Sequence, residues 1–148
     1  MTDLRPHDVP HDRCYDGTHH VWARRDAESG RVFVGIDGMG LESLGELAYI
    51  GLRDEGTRVT QGDAVGTLEA AKMTSRIVAP VSGTVVARNE DALRDPLAVN
   101  RDPYGAGWLV ALEATDWEGD SRRLISGDAI DEWVASEIER LRAEGSSD

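Results

Sequence analysis

Residues 65–83 read VGTLEAAKMTSRIVAPVSG, and this stretch decides the fold. Two β-prone runs, VGTLEA and SRIVAPV, flank the short segment AKMT, so the stretch predicts two strands joined by a tight turn. Gly62 lies ten residues before Lys72 and Gly83 lies eleven after it, and each ends one arm. The spacing therefore predicts a hairpin with two nearly equal arms and with Lys72 at its tip.

Lys72 is the single lysine of the chain, because fifteen of the sixteen basic residues are arginines. A GC-rich genome or an acidic, salt-adapted surface explains why arginine replaces lysine elsewhere in the chain. Neither explains why a lysine is kept at position 72. A lysine at a hairpin tip extends its ammonium group away from the sheet, where a modifying enzyme can reach it. Lys72 is therefore a candidate attachment site, although one exposed lysine is ordinarily only a solvated turn residue.

Length, charge and cysteine content restrict the class of protein. The 148 residues are enough for one domain with a hydrophobic core. The formal net charge of -12 argues against nucleic acid and anionic membranes as partners, because both would repel this surface. The lone Cys14 cannot form an internal disulfide, and the polar N-terminus lacks the apolar run of an export signal or membrane span. These features predict a cytoplasmic protein.

Three segments of the chain differ in their sequence patterns. Residues 1–14 contain two prolines and no periodicity, which predicts an irregular N-terminal arm. Residues 15–125 alternate short β-prone runs with glycine and aspartate, which predicts a mostly β domain with a first hairpin over residues 19–36. Residues 126–148 place apolar side chains at helical spacing, which predicts an amphipathic helix packed on the domain. These side chains are Ile130, Trp133, Val134, Ile138 and Leu141.

Two stretches of the domain have weaker patterns. Residues 42–50, ESLGELAYI, are compatible with a short helical turn leading into a strand or with a strand alone. After the strand VVARN, an irregular acidic stretch is expected as far as Asn100. A Pro-Tyr-Gly loop and a further strand, WLVALEAT, follow it.

Residues from about 15 to 126 resemble the glycine-cleavage H-protein family, which is part of the biotinyl/lipoyl-carrier group. The run VNRDPYGAGW at residues 99–108 is highly specific to that family. The other matching blocks occur in the family's order: His20-Val21-Trp22, Val34-Gly35-Ile36, Leu44-Gly45, Gly62, Glu69 with Lys72, Ala79 to Gly83, Asn89 and Pro96. The resemblance implies a mostly β, barrel-sandwich hybrid fold of the lipoyl/biotinyl-carrier type with a C-terminal α-helix.

The resemblance also implies a cofactor, roles and partners. Lipoate attached covalently to Lys72 is the implied cofactor, and the protein would be a carrier rather than an enzyme. Glu69 matches a glutamate associated with recognition by lipoylating enzymes, and an ordinary exposed carboxylate is the alternative. The implied partners are a lipoylating ligase or transferase, dihydrolipoamide dehydrogenase and, in glycine cleavage, glycine decarboxylase and aminomethyltransferase.

Three residues depart from the family pattern where the lipoyl arm should rest. Val21 and Arg76 stand where members have acidic residues that host a cationic aminomethyl group, and Ser43 stands where some members have a histidine. Arg76 would repel a protonated amine. These changes resemble the lipoate-binding proteins linked to cytoplasmic sulfur oxidation. We therefore favour a carrier working with a heterodisulfide-reductase-like complex and sulfur transferases, and glycine cleavage is the alternative.

A biotin carrier is a less favoured interpretation. The tip, LEAAKM, is close to the Glu-Ala-Met-Lys-Met pattern of biotin carriers, but Ala71 replaces the methionine before the lysine. The downstream run at residues 99–108 has no counterpart in those proteins. An unmodified interaction domain that kept the fold is a further alternative.

The N-terminal region also contains several residue types that can bind zinc. They are His7, His11, Cys14, His19 and His20. The chain has no second cysteine, and nearby prolines disfavour a helix that would align the histidines. We interpret them as polar surface residues and expect no metal site.

Overall fold

The computed structural model of the chain describes residues 9–145. Within these residues the chain forms nine strands and five helices. The strands are β1 (Cys14–Asp16), β2 (Val21–Arg25), β3 (Val32–Ile36), β4 (Leu47–Leu52), β5 (Arg58–Val59), β6 (Ala64–Ala70), β7 (Thr74–Val78), β8 (Gly83–Arg88) and β9 (Val110–Ala114). The helices are α1 (Gly38–Leu44), α2 (Glu90–Arg94), α3 (Leu97–Arg101), α4 (Trp117–Ser121) and α5 (Ala129–Gly145). None of these helices has the length and apolar character that crossing a membrane requires.

The strands form two antiparallel sheets that share one hydrophobic core. The larger sheet has the order β1-β2-β3-β9-β8-β5, and the smaller sheet has the order β4-β6-β7. The main core cluster contains Val34 and Leu112 from the larger sheet and Leu68 and Ile77 from the smaller one, all fully buried. The predicted fold class, mostly β with a C-terminal helix, is confirmed.

Both hairpins that the sequence predicts are present. β2 and β3 pair along their whole lengths. β6 and β7 pair as far as Glu69 and Thr74, so that residues 71–73 form the connection between the two strands. Lys72 is the central residue of that connection.

The C-terminal helix packs on the larger sheet through a second core cluster. Ile130 and Val134 of α5 are fully buried there with Tyr15 of β1 and Trp22 of β2. The helical spacing of the apolar side chains in this segment follows from that contact, because one face of the helix must be buried.

The end of the predicted N-terminal arm is packed against the domain. Residues 1–8 lie outside the described residues, and residues 9–13 form neither strand nor helix. Val9 is buried in the second core cluster, and the Tyr15 hydroxyl donates to the Pro10 carbonyl oxygen at 2.6 Å. β1 begins at Cys14, the last residue that the sequence assigned to the arm, because Cys14 pairs with Ala23 of β2.

The acidic stretch before Asn100 is helical, which corrects the expectation of an irregular segment. The Asn89 side chain caps α2 by accepting from the Ala92 N–H at 3.3 Å. Glu90 and Asp91 in the first turn favour a helix at this point. α2 and α3 have only five residues each, too few for the apolar periodicity that identifies longer helices.

The ambiguous segment at residues 42–50 is the end of α1 followed by β4, so the first of the two alternatives is correct. The carboxylate of Asp37 is fully buried and caps α1 by accepting from the Gly40 N–H at 2.8 Å. The helix ends at Gly45, whose φ of 84° is in the left-handed region that favours glycine.

Asn100 connects the family-specific run at residues 99–108 to the segment behind the Lys72 turn. Its side-chain oxygen accepts from the Leu47 N–H at 2.9 Å, and its side-chain nitrogen donates to the Gly45 carbonyl oxygen at 3.1 Å. The Gly45 carbonyl group belongs to the connection between α1 and β4, and the Leu47 N–H belongs to the first residue of β4. The Asn100 side chain therefore fixes the position of that connection.

The same run also makes hydrogen bonds to β2 and α1. The Trp22 indole N–H donates to the Pro103 carbonyl oxygen at 3.0 Å, and the Gly38 N–H donates to the Tyr104 hydroxyl oxygen at 2.8 Å. The sequence VNRDPYGAGW is thus needed for geometry, because its side chains and carbonyls satisfy polar groups of three different elements.

We expect Asn100→Asp to lower the free energy of unfolding by about 1–3 kcal/mol, because a carboxylate then faces the Gly45 carbonyl oxygen without a donor between them. Urea unfolding at neutral pH measures this loss. Hydrogen exchange should also accelerate at the amides of Ala71 and Lys72, which donate to carbonyl oxygens of the connection that Asn100 holds.

The matched control for this prediction is Asn89→Asp. The Asn89 side-chain nitrogen donates to the carbonyl oxygens of Ala106 and Trp108 at 2.8 and 2.6 Å, away from the Lys72 turn. This variant should be destabilised without a selective change at Lys72. An unchanged exchange rate at Lys72 in Asn100→Asp would contradict the role assigned to Asn100.

Candidate functional site

The Lys72 turn is fixed through its backbone, whereas its side chain is exposed. The Ala71 N–H donates to the Glu46 carbonyl oxygen at 3.0 Å, and the Lys72 N–H donates to the Leu44 carbonyl oxygen at 3.2 Å. The Lys72 amine donates to the Glu42 carbonyl oxygen at 3.2 Å. This last contact is at an exposed position, so water or an enzyme can replace it at little cost.

Gly45 lies directly against the lysine stem. A Cβ at this position would be 3.5 Å from the Ala71 Cβ and 3.6 Å from both Cγ and Cε of Lys72. Its φ of 84° would also strain any residue with a side chain. These distances are ordinary van der Waals contacts, so the backbone conformation, and not a lack of space, favours glycine at this position.

This arrangement suits amide formation at the lysine amine. The backbone hydrogen bonds present the residue at one place, and the exposed four-carbon stem can enter the active site of another protein. Because Lys72 is the chain's only lysine, no other side-chain amine competes for acylation.

The surface beside the turn combines a carboxylate with exposed apolar groups. Glu69 is exposed on β6 and lies opposite Tyr49 on β4 and Thr74 on β7. Tyr49 and Met73 are 56% and 53% exposed, which is high for large hydrophobic residues. A surface with an acidic residue between apolar side chains is suited to contact with a protein that modifies Lys72.

A cleft of about 210 Å³ opens next to the turn, and we call it the arm cleft. Its lining residues include the apolar Leu44 and Met73 and the polar His20, Ser43 and Arg76. Met73 directly follows the lysine in sequence, so the cleft adjoins the turn that carries Lys72. The apolar part of the lining fits a hydrocarbon chain, and the polar part is available for the group at its end.

The structure brings two of the three departures from the family pattern together. Ser43 and Arg76 both line the arm cleft. Val21 does not line it, because its side chain is fully buried in the main core cluster, on a strand position paired with Ile36. Val21 can influence the cleft only indirectly, through its neighbours His20 and Ile36 in the wall.

Arg76 supplies an uncompensated positive charge to the arm cleft. The residue is exposed on β7, opposite Thr67 of β6. Across residues 9–145 the structure shows no ion pair between its guanidinium group and a carboxylate. This charge is therefore available to a ligand in the cleft.

His20 is a site residue that the sequence interpretation did not identify. It lines the arm cleft, with a left-handed φ of 58°. Its Nδ1 lies 3.1 Å from Asp37 Oδ1, and its Nε2 lies 3.2 Å from Glu137 Oε2. The imidazole thus connects the cleft with the cap of α1 and with α5. Its partners are distant in sequence, so no local pattern indicates this role.

The environment of His20 favours its protonated form. Burial alone would lower the pKa of the imidazole, but the hydrogen bond to Asp37 and the charges of Asp37 and Glu137 together raise it above its ordinary value. Arg140, which pairs with Glu137, opposes this increase. His20 is therefore a second source of positive charge in the lining of the arm cleft.

The histidines of the N-terminal region have separate partners. His11 contacts Asp131 at 2.8 Å and His19 contacts Asp16 at 2.9 Å, whereas His7 lies outside the described residues. Within the part of the chain that the structure covers, no three potential ligands are grouped around a possible metal position.

Comparisons with known proteins identify similar sequences. The family model described as glycine cleavage H-protein matches residues 13–137. The chain is 38% identical to the glycine cleavage system H protein of Marinobacter nauticus over 130 residues, which cover 88% of this chain and 98% of the relative. It is 40% identical to the H protein of Mycobacterium avium over 109 residues, which cover 74% of this chain and 81% of the relative.

A solved structure is similar to the whole domain. The crystal structure of a glycine cleavage system H protein from Mycobacterium marinum matches with a TM-score of 0.74 and 32% sequence identity. The match covers 86% of this chain and 98% of the other.

We expect the free energy of unfolding to decrease as the pH rises through the raised pKa of His20. The carboxylates bind the protonated imidazole only in the folded state, so the stabilisation is complete below the ordinary pKa of 6.5 and is lost above the raised value. Urea unfolding measured from about pH 5.5 to pH 8.5 tests this dependence.

His20→Gln should remove this contribution, because glutamine does not titrate. His19→Gln is the matched control, since it removes the adjacent, exposed histidine that contacts Asp16. If the native protein and His20→Gln showed parallel pH profiles above pH 6.5, His20 would not be the group responsible.

Proposed function

Because the chain belongs to the glycine cleavage H-protein family, we propose that it carries lipoate in amide linkage to Lys72. H proteins are carrier subunits of the glycine cleavage system and are not catalysts themselves. The observation that carries the proposal is the Lys72 turn, in which the backbone is fixed and the chain's single side-chain amine is exposed.

The residues around Lys72 fit this cofactor. The arm cleft offers Met73, which is 53% exposed, and the neighbouring Leu44 to a hydrocarbon chain. A lipoyl group supplies a dithiolane that can take up and release electrons or substituents. The turn would present the attachment point, and His20 and Arg76 would contribute positive charge to the lining of the cleft.

Glu69 and its apolar neighbours are proposed as the recognition surface for the lipoylating ligase or transferase. Glu69 is exposed beside the turn and Tyr49 lies on the adjacent strand. A ligase would thus contact a rigid sheet surface rather than the lysine alone. Reoxidation of the arm by dihydrolipoamide dehydrogenase belongs to the same proposal.

Glycine cleavage is the pathway that the comparisons favour. The chain matches nearly the full length of H proteins from distant bacteria at 38% identity. The sequence interpretation weighted sulfur oxidation more heavily, and this weighting has no support from the comparisons. We therefore propose glycine decarboxylase and aminomethyltransferase as the partners of the lipoylated protein.

Sulfur oxidation remains a second candidate because of one observation, the position of Arg76. Arg76 is one of the residues that line the arm cleft, and a guanidinium group beside a bound ligand would repel a protonated aminomethyl group and attract a thiolate or an anionic sulfur species. Val21 adds little to this argument, since its side chain is buried in the core. The partners in this case would be a heterodisulfide-reductase-like complex and sulfur transferases.

We expect Lys72→Arg to abolish lipoylation, because arginine keeps the charge but offers no amine for acylation. Intact-mass spectrometry after co-expression with a lipoate ligase and added lipoate should show one lipoyl group on the native protein and none on the variant. A biotin adduct, or a native protein that stays unmodified with several ligases, would contradict the proposal.

Glu69→Gln should slow lipoylation by about tenfold through loss of one charge-assisted contact with the ligase. Glu55→Gln neutralises another exposed carboxylate and is the matched control. Equal rates of lipoylation for both variants would show that Glu69 is an ordinary surface residue.

We expect Arg76→Asp to increase aminomethyl loading by about tenfold, because a carboxylate replaces a cation beside a protonated amine. The measurement is glycine-dependent release of carbon dioxide by the lipoylated protein with glycine decarboxylase. Arg122→Asp makes the same charge change at another exposed position and should have no effect. If neither the native protein nor Arg76→Asp supported the reaction, glycine cleavage would be contradicted.

A further inference from the structure

A second depression, of about 470 Å³, lies beyond the arm cleft at the ends of β4 to β7. Its lining contains three arginines, Arg53, Arg58 and Arg76, and we call it the arginine pocket. Arg53 follows β4, Arg58 belongs to β5 and Arg76 belongs to β7. The fold therefore gathers residues from three separate segments of the chain.

The charges in the arginine pocket are not neutralised by neighbouring side chains. No ion pair links these three guanidinium groups to a carboxylate among residues 9–145. All three side chains are exposed. The pocket therefore brings three such cations together on a chain whose net charge is -12.

Asp63 is the one carboxylate residue in the lining, and it makes hydrogen bonds within the turn at residues 60–63. Its Oδ2 accepts from the Thr60 N–H at 2.8 Å, and its N–H donates to the Thr60 carbonyl oxygen at 2.8 Å. This turn closes the connection between β5 and β6. Even with the charge of Asp63 included, the pocket retains an excess of two positive charges.

One of the arginines is already oriented. The Arg53 Nε donates to the Ala64 carbonyl oxygen at 2.8 Å, which holds the guanidinium plane beside the start of β6. The outer nitrogens of this group make no hydrogen bond in the described part of the chain. A guanidinium group presents pairs of N–H donors whose spacing matches two oxygens of a tetrahedral oxyanion.

We propose that the arginine pocket is a binding site for a small tetrahedral dianion of the phosphate or sulfate type, free or as the charged end of a small ester. The two excess positive charges match the charge of such a ligand. The volume of about 470 Å³ exceeds that of the bare ion and leaves space for an ester group.

The pocket also shares a residue with the arm cleft, because Arg76 lines both. A dianion bound in the arginine pocket neutralises a cation that otherwise faces the cleft. This consequence for the arm rests on the proposed function, whereas binding of the dianion does not. Binding is therefore tested on the unmodified protein.

The experiment is a two-dimensional NMR titration of the unmodified protein with phosphate, thiosulfate and glycerol phosphate, each at constant ionic strength set with sodium chloride. We expect saturable shifts at the amides of Arg53, Arg58, Asp63 and Arg76. Tighter binding of glycerol phosphate identifies an ester as the ligand class, and equal or tighter binding of the inorganic ions identifies the free anion.

Arg58→Ala should weaken binding at least about tenfold, since it removes one charge-assisted pair of hydrogen bonds from an exposed strand. Arg94→Ala removes an exposed arginine outside the pocket and should leave the affinity unchanged. Shifts that do not saturate, shifts spread over the surface, or equal affinities in both variants would overturn the proposal.

Discussion

Two backbone hydrogen bonds determine where Lys72 stands: Ala71 donates to Glu46 in the connection between α1 and β4, and Lys72 donates to Leu44 at the end of α1. A hairpin tip without tertiary contacts would move freely and present the amine over a wide range of positions. Here the backbone of the tip is hydrogen-bonded to a second element, whereas the lysine side chain is exposed. A carrier needs a fixed backbone and a free side chain at this position. Its partners must recognise a fixed surface while the arm reaches between them.

The connection that receives these hydrogen bonds is itself fixed from two sides. Asn100 holds it through Gly45 and Leu47, and the buried carboxylate of Asp37 caps the helix that leads into it. Since buried polar groups must be satisfied, each of these side chains is required at its position. The family-specific run at residues 99–108 can thus be understood as the support of the lysine turn rather than as part of its chemistry.

The elements that the sequence predicts are those with a local signal. The Lys72 hairpin follows from two β-prone runs around a short turn, and α5 follows from its apolar spacing. α2 and α3 are too short to show such a period, so the sequence interpretation missed them; α2 is capped by Asn89, whereas α3 has no side-chain cap. His20 was missed for a different reason: its importance arises from Asp37 and Glu137, which come close only in the folded chain.

Val21 was placed in the arm environment by its match to a motif position, but its side chain is buried in the main core.

The charges around the arm cleft bear most directly on what the arm carries. Arg76 keeps its charge throughout the physiological range, whereas the charge of His20 varies with pH. A protonated amine in the cleft would face both groups, and an anionic cargo would be attracted by both. Membership in the H-protein family establishes the kind of carrier, whereas under the proposed function the terminal group of the arm would meet the side chains that line the cleft. The choice between an aminomethyl group and a sulfur cargo is therefore a question about the electrostatics of the cleft lining, with Arg76 as the dominant charge.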